Sequence, residues 1–355
     1  MLILRHHTVL APYTTIGLGG PATMFAECRT DGEIAEAIDA AESHGLRFHV
    51  LGGGSNTIFA DSGFNGLVAF IATRGTSIIE EKDHVLVTAK AGEPWDPFVR
   101  WTAENGWAGL ECLSGIPGSV GATPIQNVGA YGQEVKDVIE SVTVLDRASR
   151  EPLVFSNADC RFSYRMSRFK AEDADKFVVL SVTFRLKKNG RPTIHYPELQ
   201  KAIGQIVDIA ALPEGRESLS AVRTIVIGLR KKKSMVTDPD DVNSRSVGSF
   251  FLNPIVDAAG LERLKGIWSN VGDGSSVPSF PFEENVKIPA AWLIERSGFV
   301  KGYRRDGVGI SANHPLALIN INGTSAALMA LAEEVRAGVE SVFGIRLERE
   351  ANLVS

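Results

Sequence analysis

Two glycine-rich stretches hold the residue types that can cradle a phosphate. The longer is Gly115-Ile-Pro-Gly-Ser-Val-Gly-Ala-Thr-Pro-Ile-Gln-Asn-Val-Gly-Ala-Tyr-Gly132, with five glycines and two prolines. Glycine admits positive φ and close backbone approach. Successive N–H groups in such turns form concavities that bind anions. No helical or strand period runs through the stretch. Most glycine-rich runs are plain surface loops, but this one is flanked by apolar sequence. Loops this long inside a compact domain are commonly functional or disordered, and its Val, Ile and Tyr content argues against disorder. The shorter stretch is Gly52-Gly-Gly-Ser-Asn56, directly after the apolar run Phe48-His-Val-Leu51. A strand running into that turn offers N–H groups and a hydroxyl to phosphate oxygens. Together the two predict a diphosphate cradle. Neither ends in the Gly-Lys-Ser/Thr of a P-loop. A Gly-x-Gly-x-x-Ala match at residues 17–22 is set aside, because Pro21 and the strand-like residues 24–27 break the strand–turn–helix context that motif needs.

The elements that must position these loops follow from periodicity and caps. Thr30-Asp-Gly-Glu33 is a capping-box pattern opening a helix. Ile34, Ala37, Ile38 and Ala41 form its apolar face, with Gly45 as its stop. Strands are expected at 48–51, 67–71, 84–91, 142–145 and 177–186. A helix is expected over 94–105, with Phe98 and Trp101 on one face. Another is expected over 219–233, with Val222, Ile225 and Leu229 inward. It ends in Arg230-Lys-Lys-Lys233; cations suit a helix C-terminus, so the run reads as solvated helix end. Thr237-Asp-Pro-Asp-Asp241 is a turn-rich break. Beyond it, a helix over 290–296, a strand over 316–320, a helix from 325 to about 342 and a terminal strand over 346–354 are expected. Strand alternation puts Glu348 and Glu350 on one face.

A chain of 355 residues can form two or three domains with sizeable cores. Its 44% hydrophobic and 22% charged composition is that of an ordinary globular protein. A net charge of −5 gives no electrostatic case for nucleic acid or an anionic membrane. Cys28, Cys112 and Cys160 are scattered, with no metal spacing, which suits a reducing cytoplasm. No metal site is expected. The N-terminus lacks the apolar region of a signal peptide, and no apolar run is long enough to span a bilayer. The expectation is a cytoplasmic protein without membrane insertion.

The two loops together resemble the flavin-binding loops of the UDP-N-acetylenolpyruvoylglucosamine reductase family. The family's motifs are matched at Tyr13-Thr-Thr-Ile-Gly17, from Leu51 to Asn56 and from Ile116 to Gly132. The resemblance covers essentially the whole chain. It implies an α+β protein of three domains. Residues 1–72 with the terminal strand 345–355, and residues 73–234, would form a two-part FAD-binding fold of the vanillyl-alcohol-oxidase type. Residues 235–344 would form a C-terminal α+β substrate domain. FAD would be bound without a covalent link, and NADPH would be the co-substrate. The first loop's contribution would come from Leu51, Gly52, Gly53, Gly54, Ser55 and Asn56. The second would supply Ile116, Pro117, Gly118, Ser119, Gly121, Ala122, Thr123, Gln126, Asn127, Gly129 and Tyr131.

The resemblance also picks out three isolated polar residues. Arg165, in Phe162-Ser-Tyr-Arg-Met-Ser-Arg-Phe-Lys170, matches the segment carrying the family's catalytic arginine. Ser249, in Gly-Ser-Phe-Phe, matches the proton donor. Glu350, in Leu347-Glu-Arg-Glu350, matches the catalytic glutamate, with Arg349 in place of the family's proline. From residues alone, a surface arginine and a turn serine would be the better readings of the first two. The implied substrate is UDP-N-acetylglucosamine carrying an enolpyruvyl ether. Hydride addition to its vinyl carbon leaves negative charge spread into the carboxylate. Arg165 suits that charge as a planar, permanent cation. Ser249 would protonate the carbanion, and Glu350 would act protonated or bridged through a cation. Weaker matches assign Tyr164, Tyr196, Lys233, Asn253 and His314 to substrate binding. A monomer is expected. Two other readings stay open: a sugar or alcohol oxidase on the same flavin fold, and a non-catalytic binder of flavin or nucleotide sugar.

Overall fold

The capping box at Thr30 forms as the sequence predicts. The Thr30 hydroxyl accepts from the Glu33 N–H at 3.1 Å, and the Glu33 carboxylate accepts from the Thr30 N–H at 3.2 Å. The helix it opens, Asp31–Ser43, buries Ile34, Ala37, Ile38 and Ala41. This computed structural model describes residues 2–355. Their contacts divide into two units. The first comprises the segment ending at Thr8, residues 22–53 and residues 65–232; the second comprises 9–21, 54–64 and 233–355. Residues 54–64 fall in the second because the strand Thr57–Phe59 pairs in parallel with Asn352–Val354 near the end of the chain.

The first unit holds two larger sheets and a two-stranded ribbon, Gly129–Ala130 with Gln133–Glu134. One larger sheet is four-stranded, in the order Leu4–Val9, Pro21–Cys28, Phe64–Ile71, Arg47–Leu51, with the last two parallel. The other is antiparallel, in the order Pro152–Ser156, Ile139–Asp146, Phe177–Lys188, His84–Lys90, Thr76–Glu80. Alternation works as expected in His84–Lys90, which buries Val85, Val87 and Ala89. The helix Trp95–Glu104 lays Trp95 and Phe98 on Phe184 of the central strand, with ring centroids 5.9 and 5.3 Å away. Burial of each such ring contributes about 1.5–3 kcal/mol.

One helix departs from expectation. Arg216–Lys232 buries Leu219, Val222 and Val226, and with them Arg223 and Arg230. Ile225 and Leu229 are half-buried and pack with Ile194, Leu199, Ile203 and Leu212 in a separate small cluster. That cluster fixes a helix, Pro197–Gly204, which the sequence reading did not contain. Arg230 is not part of a solvated helix end; only Lys231 and Lys232 are exposed there.

The second unit is built round the helix Ser325–Phe343. Thr324 caps it, and the Asp61 carboxylate accepts the N–H groups of Ser325 and Ala326 at 2.8 and 2.9 Å. Gly344, at φ 66°, closes it in the left-handed conformation that glycine favours. The strands Arg304–Arg305, Val308–Ile310 and Leu318–Asn320 form an antiparallel sheet. The core includes Trp268, which meets Trp292 at 4.9 Å. The expected terminal strand over 346–354 is regular only at Asn352–Val354. Upstream the chain makes a single antiparallel bridge, Phe251 with Arg349, through the bonds from Leu252 N–H to Glu348 O and from Glu350 N–H to Phe250 O. The two glutamates nonetheless differ in burial: Glu350 is buried and Glu348 exposed. Among the described residues, no helix is long and apolar enough to cross a membrane.

Candidate active site

The two glycine stretches meet in the first unit. The strand Arg47–Leu51 delivers Gly52 and Gly53 to the other loop. A Cβ on Gly53 would lie 2.6 Å from the Gly118 Cα, and one on Gly52 would lie 2.6 Å from the Ser119 Oγ. Gly53 thus faces backbone with no side chain between, Gly52 faces the Ser119 side chain, and neither position has room for a Cβ. Leu51 is buried beneath them, while Gly53 is exposed. The longer loop is pinned, not loose. Gly121 N–H donates to Ala91 O at 2.8 Å, Val120 N–H to Glu93 O at 2.9 Å, and Trp95 N–H to Gly118 O at 3.1 Å. Ser119, Gly121 and Thr123 are buried, and Ile116, Pro117, Ala122 and Gln126 half-buried. Such an arrangement fits the diphosphate of a dinucleotide cofactor.

Farther along, the loop is tied to the 162–170 segment. Buried Asn127 donates through Nδ2 to Glu134 Oε2 and Ser163 O at 2.8 and 2.9 Å, and accepts from Lys136 N–H. Ser167 Oγ donates to Ile125 O at 2.6 Å. The Arg165 Nη2 donates to Gly129 O at 2.8 Å. Asn127, Tyr131 and Arg165 all take left-handed φ, at 45°, 49° and 55°. Backbone strain of this kind clusters at sites where geometry is over-determined. Tyr164 lies half-buried beside Arg165. Tyr196, which is 44% exposed, sets its ring edge-on to Tyr131 at 5.6 Å.

In the second unit, Gly54 packs on Tyr13 O and its carbonyl accepts from Thr15 N–H. Ser55 and Asn56 are half-buried, and Asn56 Nδ2 donates to Glu350 O at 3.3 Å. The backbones of the Ser249 and Glu350 segments are paired there. Ser249 is half-buried and precedes Phe250, whose carbonyl accepts the Glu350 N–H at 2.9 Å. Phe250 and Phe251 anchor the segment, their rings 5.1 Å apart and both fully buried. Asn253 Oδ1 accepts from Ala290 N–H at 2.9 Å at the start of the helix Ala290–Arg296. His314 Nδ1 accepts from Leu316 N–H at 3.3 Å. Next to Lys233, the buried Ser234 Oγ accepts from Asn313 Nδ2 at 2.8 Å, so the Lys233 and His314 backbones are tied. Arg165 belongs to the first unit; Lys233, Ser249, Asn253, His314 and Glu350 belong to the second.

Comparison with known proteins decides the family. Residues 22–151 match the family model of an FAD binding domain, and residues 239–354 match the C-terminal domain of UDP-N-acetylenolpyruvoylglucosamine reductase. A UDP-N-acetylenolpyruvoylglucosamine reductase from Salinispora arenicola is 45% identical, covering 98% of this chain and 94% of the relative. One from Pseudomonas aeruginosa is 39% identical, covering 99% of each. The chain belongs to the UDP-N-acetylenolpyruvoylglucosamine reductase family. The crystal structure of such a reductase from Thermus caldophilus has the same fold, with a TM-score of 0.67 over the whole of both chains at 22% identity. The α+β fold class, with an FAD-binding part and the reductase family's C-terminal domain, is the one expected.

In this reductase-family chain the structure adds residues that the sequence reading missed. Arg223 forms a two-pronged pair with Asp96 at 2.6 and 2.8 Å, and Asp96 Oδ1 also accepts the Gly115 N–H at 2.5 Å. The pair thus fixes the first residue of the long loop. Burial alone would raise the Asp96 pKa. The Arg223 and Gly115 hydrogen bonds outweigh it and hold the carboxyl below its usual range. Burial pushes the Arg230 guanidinium down to about 10, against the opposing pull of Tyr131 and Asp96. Burial also pushes the Tyr131 phenol up to about 12. A signal was present: Arg223 and Arg230 are seven apart, two helical turns, in register with Leu219 and Val226.

Asp96 has a pH consequence. Its pKa is lower folded than unfolded, so the pair's stabilisation is present above the ordinary aspartate range. It is lost as pH falls through the folded value. Asp96→Asn should lower Tm at neutral pH and flatten the acid limb of a Tm-against-pH profile. An acid limb equal to the wild type's would show that the pair does not carry it.

Proposed function

We propose that the chain reduces the enolpyruvyl group of UDP-N-acetylglucosamine-enolpyruvate to give UDP-N-acetylmuramate, a step of peptidoglycan precursor synthesis. The supporting observation is the side-chain-free approach of Gly53 to Gly118 in a chain of this family. FAD, which the two glycine loops would hold without a covalent link, would supply the hydride chemistry between NADPH and the vinyl carbon.

The protein's own groups do the rest. Leu51 to Asn56 and the matched residues from Ile116 to Tyr131 hold the cofactor. Arg165 sits where its guanidinium is already oriented by Gly129 O, so it can meet the substrate carboxylate without reorganising. As hydride arrives, charge builds on that carboxylate and the adjacent carbon. Ser249 gives its proton to that carbon, and Glu350, whose N–H is bonded to the carbonyl of the neighbouring Phe250, steadies the same end of the substrate. Tyr196 and Lys233 bind the sugar diphosphate as hydroxyl and ammonium donors, and Tyr164 also serves substrate binding. Asn253 spends its oxygen on Ala290 N–H, so its NH₂ is the group that donates to substrate. His314 accepts at Nδ1, which leaves the proton of the neutral ring on Nε2, the donor side. Residues 235–344 are the substrate domain in this reading, and residues 1–72 with 345–355 and 73–234 the flavin domains. The protein works as a cytoplasmic monomer.

Turnover tests the reading. NADPH should be consumed only with the sugar nucleotide present, and the product should gain two hydrogens by mass. Acid precipitation should release all flavin colour, since neither glycine loop holds a His or Cys to tether it. Colour left in the pellet, or NADPH consumption that needs only oxygen, would favour the oxidase reading.

A further inference from the structure

Glu111 is a carboxylate only 1% exposed, and three donors reach it. Gly109 N–H donates to Oε2 at 2.8 Å; Gln133 Nε2 and Thr193 N–H both donate to Oε1, each at 2.8 Å. Gln133, itself buried, accepts the Cys112 N–H at 2.8 Å through its own oxygen. Cys112 Sγ donates back to Thr193 O at 3.0 Å. The donors come from three separate stretches of chain. Gln133 directly follows the long glycine loop. Thr193 lies three residues before Tyr196. A buried carboxylate needs its donors, so the three stretches are held together at one point. The visible result is the edge-on contact of Tyr131 with Tyr196.

We propose that Glu111 is a positioning residue. It locks the 193–196 segment to the end of the glycine loop and so places Tyr196 for the sugar nucleotide. This rests on the functional reading of Tyr196 above. Glu111 is 1% exposed, and it acts through Thr193.

A paired exchange isolates that link. With Glu111→Gln and Gln133→Glu together, the amide at 111 still donates to a carboxylate at 133. Cys112 N–H and Gly109 N–H each still find an oxygen. Only Thr193 N–H now faces an NH₂ group. The measurement is the Kd of UDP-N-acetylglucosamine-enolpyruvate by calorimetry on the flavin-loaded protein, with FAD content and Tm alongside. The exchange should weaken Kd roughly tenfold, the size of one lost hydrogen bond to a charged group, with FAD content near wild type and Tm lowered by the unsatisfied Thr193 N–H. In a Tyr196→Ala background, where Kd is already weakened, the exchange should add less than about twofold, since coupled residues are non-additive. Glu111→Asp, which keeps the charge with a shorter reach, should fall between, and carries the same comparison if the exchanged protein does not hold flavin. An unchanged Kd in the exchange, or the full loss persisting without the Tyr196 ring, would overturn the proposal. Wild-type protein that bound no sugar nucleotide would bring down the functional reading and this inference with it. Wild-type binding with an indifferent exchange would bring down the inference alone.

Discussion

Ser249→Ala should reduce its flavin with NADPH at the wild-type rate and pass those electrons to the sugar nucleotide at least ~10²–10⁴-fold more slowly. The two half-reactions share one flavin but only one needs a protein acid. Hydride transfer from NADPH involves no protonation. Enolpyruvyl reduction ends in one, and a positioned general acid contributes about that range. A larger loss would mean that the charged carbon reverts before water protonates it. Ser249 lies in the second unit, on a segment anchored by Phe250 and Phe251, so loss of its hydroxyl should leave FAD content intact. Ser249→Cys should recover part of the rate, because a thiol of pKa ~8.5 is also an acid. Stopped-flow flavin absorbance separates the steps. Reoxidation of the Ala variant at the wild-type rate would remove Ser249 from the mechanism.

Gly53→Val should cost the protein its flavin. A Cβ there would meet the Gly118 Cα at 2.6 Å, a distance that only backbone movement can relieve. Overpacking of this kind costs ~1–3 kcal/mol, or roughly 5- to 150-fold in affinity, before any obstruction of the diphosphate by the added methyls. Flavin fluorescence on dilution reads the affinity, and the Tm of the flavin-free protein checks that the fold survives. Full flavin retention with a wild-type Kd would place the diphosphate elsewhere.

Much of the scaffold was legible because it depends on local rules. Thr30 and Glu33 cap a helix whose apolar face follows the 3.6 period. His84–Lys90 alternates as a half-buried strand must. The glycine loops stood out because few other compositions permit their backbone. What stayed hidden depends on partners far off in sequence. Arg223 and Arg230 read as polar positions of a helix, and only Asp96, Tyr131 and burial make them interior. Glu111 and Gln133 are ordinary residues in a row; their pairing needs three chain stretches to converge. Glu348 and Glu350 could not be told apart by alternation because it puts residues two apart on one face; only the folded chain shows that Glu350 is the buried one. Arg165, Ser249 and Glu350 were picked out by resemblance and not by spacing, since each is a single polar residue in an unremarkable local setting.

The most direct test of the account is a single anaerobic titration. The purified flavoprotein is bleached with one equivalent of NADPH, and UDP-N-acetylglucosamine-enolpyruvate is then added in the absence of oxygen. The oxidised flavin absorbance should return, with one UDP-N-acetylmuramate formed per flavin. Flavin that stays reduced until air is admitted would contradict it.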